Sequence, residues 1–140
     1  MPSIFTKIVK GEIPSYKVYE DKNFLAFLDI NPLKKGHTLV IPKKEVDYIF
    51  DIDSKEYQNL WNTAKKIALG MKKVIECNRI SIVVMGLEVP HAHIHLIPLN
   101  TMQDIDFSQP KLNISNDETP NHGDLGRDAV DRFLLSICQL

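Results

Sequence analysis

Three histidines at alternate positions within an apolar run constrain this chain more than any other feature of its sequence. The run is "PHAHIHLIP", residues 90–98. Because a β-strand turns successive side chains to opposite faces, a strand here places His91, His93 and His95 on one face. The other face carries Ala92, Ile94 and Leu96. Imidazoles pack poorly and titrate near neutral pH. The sequence therefore predicts a strand with one core-facing side and a histidine row on the other.

The other apolar patterns predict a helix, three strands, a long helix and two strands, in that order. The helices are expected over residues 4–10, after a Ser3 cap, and over residues 54–77. The expected strands cover 16–20, 24–30, 37–42, 79–86 and 91–99. Short links between strands 1–2, 2–3 and 4–5 favour antiparallel pairing. We expect an α+β fold, a five-stranded antiparallel sheet with one long helix and one or two short helices.

Length and composition narrow the class of protein. A chain of 140 residues suits a single domain, residues 1–140. Its net charge of −1 argues against a non-specific nucleic-acid binder, so no nucleic-acid partner is expected. The two cysteines form no disulfide framework, which fits a reducing cytosol, and no apolar run is long enough to cross a membrane. A cytoplasmic protein with no membrane partner is predicted.

The histidine row has three interpretations from the residues alone. It is an incidental polar face, a metal site, or a nucleophilic site. A metal site is disfavoured because residues 96–102 contain no glutamate and the amino-terminal segment offers Ser3 and Thr6 instead of thiols. A nucleophilic imidazole can attack an electrophilic phosphorus. The six glycines form no phosphate-binding loop motif, so any phosphate chemistry must rest on the histidines and the backbone.

The same residues resemble a known family. H-A-H-I-H-L-I resembles the histidine triad signature, H-x-H-x-H followed by two apolar residues. The segment "SIFTKIVKGEIPSYKVYEDKNFLAFLDINPLKKGHTLVIPKK" closely resembles the start of the nucleotide-binding, purine nucleoside phosphoramidase-like branch. The resemblance covers about residues 3–99, and the tail over about 111–140 diverges. It implies the histidine triad fold, in a homodimer that binds a purine nucleotide or nucleotide conjugate and needs no cofactor.

By this resemblance the chain is a hydrolase or transferase that cleaves a bond at a nucleotide α-phosphate. His93 would be the nucleophile and would form a covalent nucleotidyl-histidine intermediate. His95 would contact the phosphate or the leaving group, and His91 would orient the nucleophile through its backbone carbonyl. His37 would support the cluster from behind. Two alternatives remain. One is a nucleotide-binding module with little turnover. The other is a dinucleoside polyphosphate hydrolase, and the amino-terminal sequence disfavours that branch of the family.

The resemblance also implies a set of nucleotide-binding residues. These are Phe5, Ile8, Phe27 and Ile30 around the base, Asp29 at the ribose hydroxyls, and Gly86 and Glu88 in the loop before the triad. From the residues alone, Asp29 is favoured as a turn former. Phe5 and Phe27 are likewise ordinary core residues by default.

The loop before the triad departs from the family pattern. Relatives usually carry an asparagine, a glycine-rich loop and then G-Q-[ST]-V, whereas this chain reads "VVMGLEVPHAH". Leu87 stands for the glutamine and Glu88 for the hydroxyl residue. An ionised Glu88 at 4 Å from a phosphate oxygen would repel it by about 4 kcal/mol at an effective dielectric near 20. Alternatively, Glu88 points away from the phosphate, pairs with a cation, or donates a hydrogen bond as the protonated acid. The sequence therefore leaves open whether phosphoramidase activity matches that of relatives with the usual motif.

A second departure concerns zinc. Some bacterial members carry C-x-x-C at the positions of Ser3 and Thr6 and a histidine at that of Glu45. Only His91 of that ligand set is present here, and structural zinc takes four ligands. We expect no zinc.

Overall fold

The computed structural model describes residues 1–108, and the expected α+β architecture is present within them. The helices are α1 (Ile4–Val9) and α2 (Ser54–Val74). The strands are β1 (Lys17–Glu20), β2 (Phe24–Leu28), β3 (Thr38–Pro42), β4 (Arg79–Val83) and β5 (Ile94–Leu99). Short 3-10 turns cover Ile49–Asp51 and Met102–Ile105. The sequence also favours a final short helix over residues 127–140, after a turn-rich loop that carries His122, and both segments lie outside the described residues.

The five strands form one antiparallel sheet in the order β1-β2-β3-β5-β4. β5 lies between β3 and β4 because α2 carries the chain across the sheet between these two strands. Every residue of β2 and β3 is buried, whereas each residue of the edge strand β4 is exposed or half-buried. The sheet predicted from the short links is therefore confirmed, and its central strands are covered on both faces.

Each face of the sheet has its own hydrophobic core. The α2 face packs Leu60, Ala64, Ile67 and Met71 of the helix against the strands, each with no measurable exposure. The α1 face is a smaller cluster that consists of Phe5, Ile8, Leu25, Phe27, Leu39 and Ile41. A residue of β5 therefore faces either the long helix or the short one, and the histidines are on the α1 face.

Side-chain caps set where both helices begin. The Ser3 hydroxyl accepts the Thr6 N–H at 3.0 Å, and the Asp53 carboxylate accepts the Glu56 N–H at 3.0 Å. α2 ends at Val74 rather than at the predicted residue 77, because Ile75 turns to extended backbone at φ −110° and ψ 122°. Ile75 still packs against the α2-face core, which explains why the apolar spacing continued past the true helix end.

The strand predicted over 91–99 begins later, at Ile94. The His91 N–H bonds to the Val89 carbonyl at 2.8 Å and the Ala92 N–H bonds to the Val46 carbonyl at 2.7 Å, so these residues leave the sheet ladder. The alternation of faces persists nonetheless, since Ala92 joins Ile94 in the α2-face core.

Within residues 1–108, no helix combines the length and hydropathy that crossing a bilayer requires.

Candidate active site

Four of the five histidines converge on the α1 face of the sheet. His37 directly precedes β3, His91 and His93 precede β5, and His95 pairs with Leu39 across the β3–β5 ladder. His37 and His91 are fully buried, and His93 and His95 are 6% and 7% exposed. Such burial requires a hydrogen-bond partner for each ring, and these partners determine where the ring protons are.

His91 is held between the backbone and the start of α1. Its Nε2 lies 2.8 Å from the Pro42 carbonyl, which only accepts, so Nε2 carries the proton. Its Nδ1 is then an acceptor, 2.8 Å from the Ser3 hydroxyl. Burial is the main cause that lowers the pKa of His91, and the nearby His93 lowers it further. The ring is therefore neutral at neutral pH.

His93 is oriented by the backbone of His91. Its Nδ1 lies 2.7 Å from the His91 carbonyl, so Nδ1 carries the proton and donates it. In the neutral ring Nε2 then keeps its lone pair. The Phe5 ring packs edge-on against His93 with centroids 5.0 Å apart. This tautomer is the nucleophilic form of an imidazole that reacts through Nε2.

His37 and His95 form a second hydrogen-bonded pair. The Leu33 N–H donates to His37 Nδ1 at 3.1 Å, so the proton of a neutral His37 is on Nε2. That Nε2 lies 2.9 Å from His95 Nδ1, which must then accept. His95 consequently carries its own proton on Nε2. The His93 and His95 rings are adjacent, with centroids 4.9 Å apart, so a lone pair and a proton donor lie side by side.

Asp29 follows β2 and combines a turn with a contact to the histidines. Its Oδ1 accepts the Asn31 N–H at 2.8 Å, which is the turn that the residue type predicts. Its Oδ2 lies 3.6 Å from His37 Nε2. Ligand atoms of Asp29, His37 and His95 all lie within 4.8 Å of one another, a spacing that a metal ion could use. Since His37 Nε2 and His95 Nδ1 share a proton at 2.9 Å, we interpret the group as a hydrogen-bonded chain.

The predicted base-binding residues are divided between core and surface. Phe5, Ile8 and Phe27 are buried in the α1-face cluster, where Phe5 and Phe27 meet edge-on at 5.5 Å. Ile30 is 56% exposed. Of the three buried residues, Phe5 contacts His93 directly, and the other two belong to the same cluster. The structure therefore brings together the apolar part of the predicted site and the histidines.

The loop before the triad carries the other two predicted residues. Gly86 adopts φ +73°, a left-handed conformation that favours glycine. Glu88 is exposed and forms no hydrogen bond or ion pair with residues 1–108. The expected place of Glu88 beside a bound phosphate therefore stays a prediction.

A cavity of about 480 Å³ opens on the other side of His93. Of the predicted site residues, only His93 and Gly86 line it. Its walls also include Tyr48, Phe50, Trp61, Ile82 and Met85. Because Phe5, Phe27 and Asp29 lie elsewhere, His93 stands between the predicted nucleotide face and a second, largely apolar space.

The positions that bear zinc ligands in some relatives form a hydrogen-bonded cluster here. The Thr6 hydroxyl donates to Glu45 at 2.7 Å, and the Ser3 hydroxyl lies against His91 Nδ1. Hydroxyl oxygens are poor ligands for structural zinc, which prefers thiolate and imidazole. His91 Nδ1, moreover, already accepts a hydrogen bond. This donor set does not fit a structural zinc ion.

Sequence reasoning missed two sets of neighbours. Phe107 packs edge-on against His95 with centroids 5.3 Å apart, and no motif marks it. Ser3 contacts Glu45 through its backbone N–H and His91 through its hydroxyl. The sequence predicts Ser3 as a helix cap, and otherwise both residues only as positions of absent zinc ligands. Their polar character at those positions was the available signal.

Comparison with known proteins identifies the family to which these residues belong. The model of the HIT domain family matches residues 10–102. The HIT-like protein MJ0866 of Methanocaldococcus jannaschii is 46% identical over 100 residues, which cover 68% of this chain and 77% of that relative. The adenosine 5'-monophosphoramidase HNT1 of Saccharomyces cerevisiae is 41% identical over 99 residues, 68% of this chain and 61% of HNT1.

A solved structure shares the fold. The hypothetical histidine triad nucleotide-binding protein ST2152 of Sulfolobus tokodaii superposes with a TM-score of 0.78 at 27% identity, covering 97% of this chain and 92% of that one. The family model spans well over half of the chain, and the histidines that define the motif meet in space. This chain therefore belongs to the histidine triad (HIT) family.

Proposed function

We propose that this protein binds a purine nucleotide conjugate and cleaves a bond at its α-phosphorus, as a nucleoside phosphoramidase or a related hydrolase. The observation that carries the proposal is the paired tautomers, with a lone pair on His93 Nε2 beside a proton on His95 Nε2. The likeness to a protein named as an adenosine 5'-monophosphoramidase supports the substrate class. We also propose that residues 1–140 form a single domain.

In the first chemical step His93 Nε2 attacks the α-phosphorus. The Nε2–P bond forms while the bond from phosphorus to the leaving group breaks. The leaving group takes a proton from solvent, and His95 Nε2–H donates a hydrogen bond to it. His93 becomes cationic, since its Nδ1 keeps its proton. The His91 carbonyl, 2.7 Å from that Nδ1, stabilises the developing charge.

In the second step water attacks the same phosphorus. The O–P bond forms as the Nε2–P bond breaks, the water releases its proton to solvent, and His95 Nε2–H remains a hydrogen-bond donor to the phosphate. The products are the nucleoside monophosphate and the protonated leaving group, and His93 returns to its starting tautomer. His37 keeps the Nδ1 of His95 an acceptor throughout, because its own Nδ1 is occupied by the Leu33 N–H.

Nucleotide binding is assigned to the α1 face. Phe5, Ile8, Phe27 and Ile30 provide the apolar surface for a base, and Asp29 offers a carboxylate to the ribose hydroxyls. Phe5 supports this assignment because its ring already contacts both Phe27 and His93.

We also propose a homodimer formed through the apolar surface around the cavity, which we call the β4 patch. It comprises Tyr48, Phe50, Ile82, Met85 and Leu87, each at least 45% exposed. Among residues 1–108, β4 is an edge strand, so no other strand of this part of the chain pairs with its outer backbone groups, and a second copy could. The buried Trp61 Nε1 has no hydrogen-bond partner among residues 1–108 and lies at the same cavity.

Turnover of adenosine phosphoramidate, with diadenosine polyphosphates and AMP as comparisons, tests the proposal. We expect adenosine phosphoramidate to yield AMP. His93→Ala should remove at least about 10³-fold of the rate while AMP binding by calorimetry stays within a few-fold. Quenching in alkaline denaturant, in which a P–N bond to histidine survives, should trap a nucleotidyl adduct on the wild-type chain and none on the variant.

The other outcomes select the alternatives. Binding of AMP without turnover of any substrate would indicate a nucleotide-binding module. Cleavage of diadenosine polyphosphates alone would indicate a dinucleoside polyphosphate hydrolase. Failure of every purine monophosphate to bind at millimolar concentration would contradict the proposal altogether.

A further inference from the structure

A continuous set of hydrogen bonds joins the start of α1 to the candidate nucleophile. Glu45 accepts the Ser3 backbone N–H at 2.5 Å and the Thr6 hydroxyl at 2.7 Å. The Ser3 hydroxyl lies 2.8 Å from His91 Nδ1, and the His91 carbonyl accepts from His93 Nδ1 at 2.7 Å. These hydrogen bonds therefore connect the exposed Glu45 carboxylate to the His93 ring, which is 6% exposed.

The direction of each hydrogen bond in this set follows from the acceptors at its ends. An ionised carboxylate only accepts, so the Thr6 hydroxyl hydrogen points to Glu45. Hydrogen bonds from Ser3 and Thr6 lower the pKa of Glu45 to about 2, and the carboxylate is ionised at every pH at which the protein would work. The Thr6 hydroxyl is thus unable to donate to His91 Nδ1, from which it is 3.4 Å away.

Ser3 is left as the donor to His91. Its oxygen accepts the Thr6 N–H at 3.0 Å, so its own hydrogen is available. That hydrogen has two acceptors at hydrogen-bond distance, His91 Nδ1 at 2.8 Å and Thr6 Oγ1 at 3.3 Å, and it also interacts with the nearby Glu45 carboxylate. The shortest of these contacts is to the imidazole. With Nε2 donating to the Pro42 carbonyl, both nitrogens of His91 are fixed and the ring cannot rotate without losing a buried hydrogen bond.

We infer that Ser3 and Glu45 are positioning residues for His93: they fix the His91 ring, and the His91 carbonyl then holds His93 Nδ1–H so that Nε2 faces the phosphorus. The inference rests on the proposed function for its kinetic consequence and on geometry alone for its effect on the ring. Glu45 acts by orienting the Thr6 hydroxyl and by holding the Ser3 backbone, and it touches no substrate.

Ser3 also caps α1, so the test must separate capping from positioning. Ser3→Gly removes the hydroxyl, and glycine at an N-cap costs only a few tenths of a kcal/mol relative to serine. Ser3→Thr restores a hydroxyl. Asp53→Gly is the matched control, since it removes the side-chain cap of α2 without touching a histidine. Glu45→Ala is a second variant that changes an exposed side chain and leaves the core intact.

Ring ¹⁵N NMR and turnover of adenosine phosphoramidate are the two measurements. In the wild type His93 should show a single tautomer protonated at Nδ1. Ser3→Gly should give a mixture of tautomers and a kcat lower by roughly tenfold or more, because a nucleophile displaced by about 1 Å loses up to 10²-fold in rate. The Kd for AMP should stay within about twofold. Glu45→Ala should show the same pattern to a smaller extent, and Ser3→Thr should restore wild-type behaviour.

The NMR measurement distinguishes failure of this inference from failure of the proposed function. A wild-type chain without turnover would contradict the function, and the His93 tautomer would still report on positioning. The inference is overturned if Ser3→Gly and Glu45→Ala leave the His93 tautomer unchanged. It is equally overturned if Asp53→Gly shifts that tautomer as much as Ser3→Gly does.

Discussion

The chemistry of the site depends on which nitrogen of each imidazole carries the proton. Backbone groups decide this at three of the four rings: the Pro42 carbonyl at His91, the His91 carbonyl at His93 and the Leu33 N–H at His37. A backbone carbonyl cannot donate and a backbone N–H cannot accept, so the assignments do not depend on rotatable side chains. The hydrogen bond from His37 determines the tautomer of His95, whose Nε2–H is a hydrogen-bond donor beside the lone pair of His93.

The first prediction at this scale concerns Glu88, where the chain differs most from the family motif. Glu88→Ser removes an exposed negative charge from the loop before the triad. Nucleotide affinity or phosphoramidate turnover should rise by up to a few-fold, since exposed charges interact through high-dielectric solvent. Raising the salt concentration should shrink the difference between variant and wild type. Equal affinity and rate at low salt would show that Glu88 points away from the phosphate.

A second prediction follows from the Glu45 carboxylate. Hydrogen bonds in the folded state lower the pKa of Glu45 from 4.5 to about 2. A depressed folded-state pKa contributes stability above the unfolded value, and this contribution is lost as the pH falls towards the folded value. The stability of the wild type relative to Glu45→Gln should therefore decline between about pH 5 and pH 2. Urea unfolding of both chains at a series of pH values measures it; a constant difference would contradict the assignment.

At the scale of elements, the corner between β2 and β3 determines where His37 lies. Gly36 adopts φ +89°, and a Cβ atom there would collide with Cδ1 of Ile75, just after α2. His37 is the next residue, and its side chain reaches both Leu33 and His95. The close approach of this corner to the end of α2 therefore determines the position of His37 in the site.

Gly36→Ala should destabilise the fold, because it adds a steric collision to left-handed backbone strain of about 1–3 kcal/mol. The matched control is Gly11→Ala, at φ +78° with nothing within 4 Å of the added atom, which carries the backbone strain alone. Ile75→Val removes the colliding methyl and should recover part of the loss. Equal destabilisation of the two alanine variants in urea would rule out the collision.

The elements themselves were largely predictable, since their signals are local. The apolar spacing of α2, its Asp53 cap and the short links between strands led to the observed sheet. The start of β5 was predicted too early because a hydrogen bond from Ala92 to the distant Val46 draws the chain out of the ladder, and no local pattern encodes it.

The sequence predicted which histidines form the site better than it predicted the contacts that they make. The alternation of histidines indicated a shared face, and the resemblance supplied their expected roles. Ser3 and Glu45 are 42 residues apart, so their contact with each other arises only from the packing of α1 against the end of β3. Phe107 reaches His95 from a turn after β5 that carries no periodic signal.

For the whole molecule, the histidine site and the β4 patch lie on either side of one loop. The loop between β4 and β5 carries Gly86 at the cavity and leads directly into His91 and His93. His93 itself lines the cavity that the patch surrounds. A second copy seated on the patch would therefore enclose the side of His93 opposite Phe5 and exclude water from it.

The last prediction is that this patch holds the dimer together. Ile82→Glu places a charge on the edge strand, where the wild-type side chain is 46% exposed, so the fold of the monomer should tolerate it. Sedimentation velocity should show a dimer for the wild type and a monomer for the variant, because an unpaired charge is costly to bury in an apolar interface. Ile4→Glu, also at an isoleucine that is 46% exposed but on α1, is the matched control and should remain dimeric. A wild-type chain that sediments as a monomer, or an Ile82→Glu variant that stays dimeric, would remove the patch from the interface.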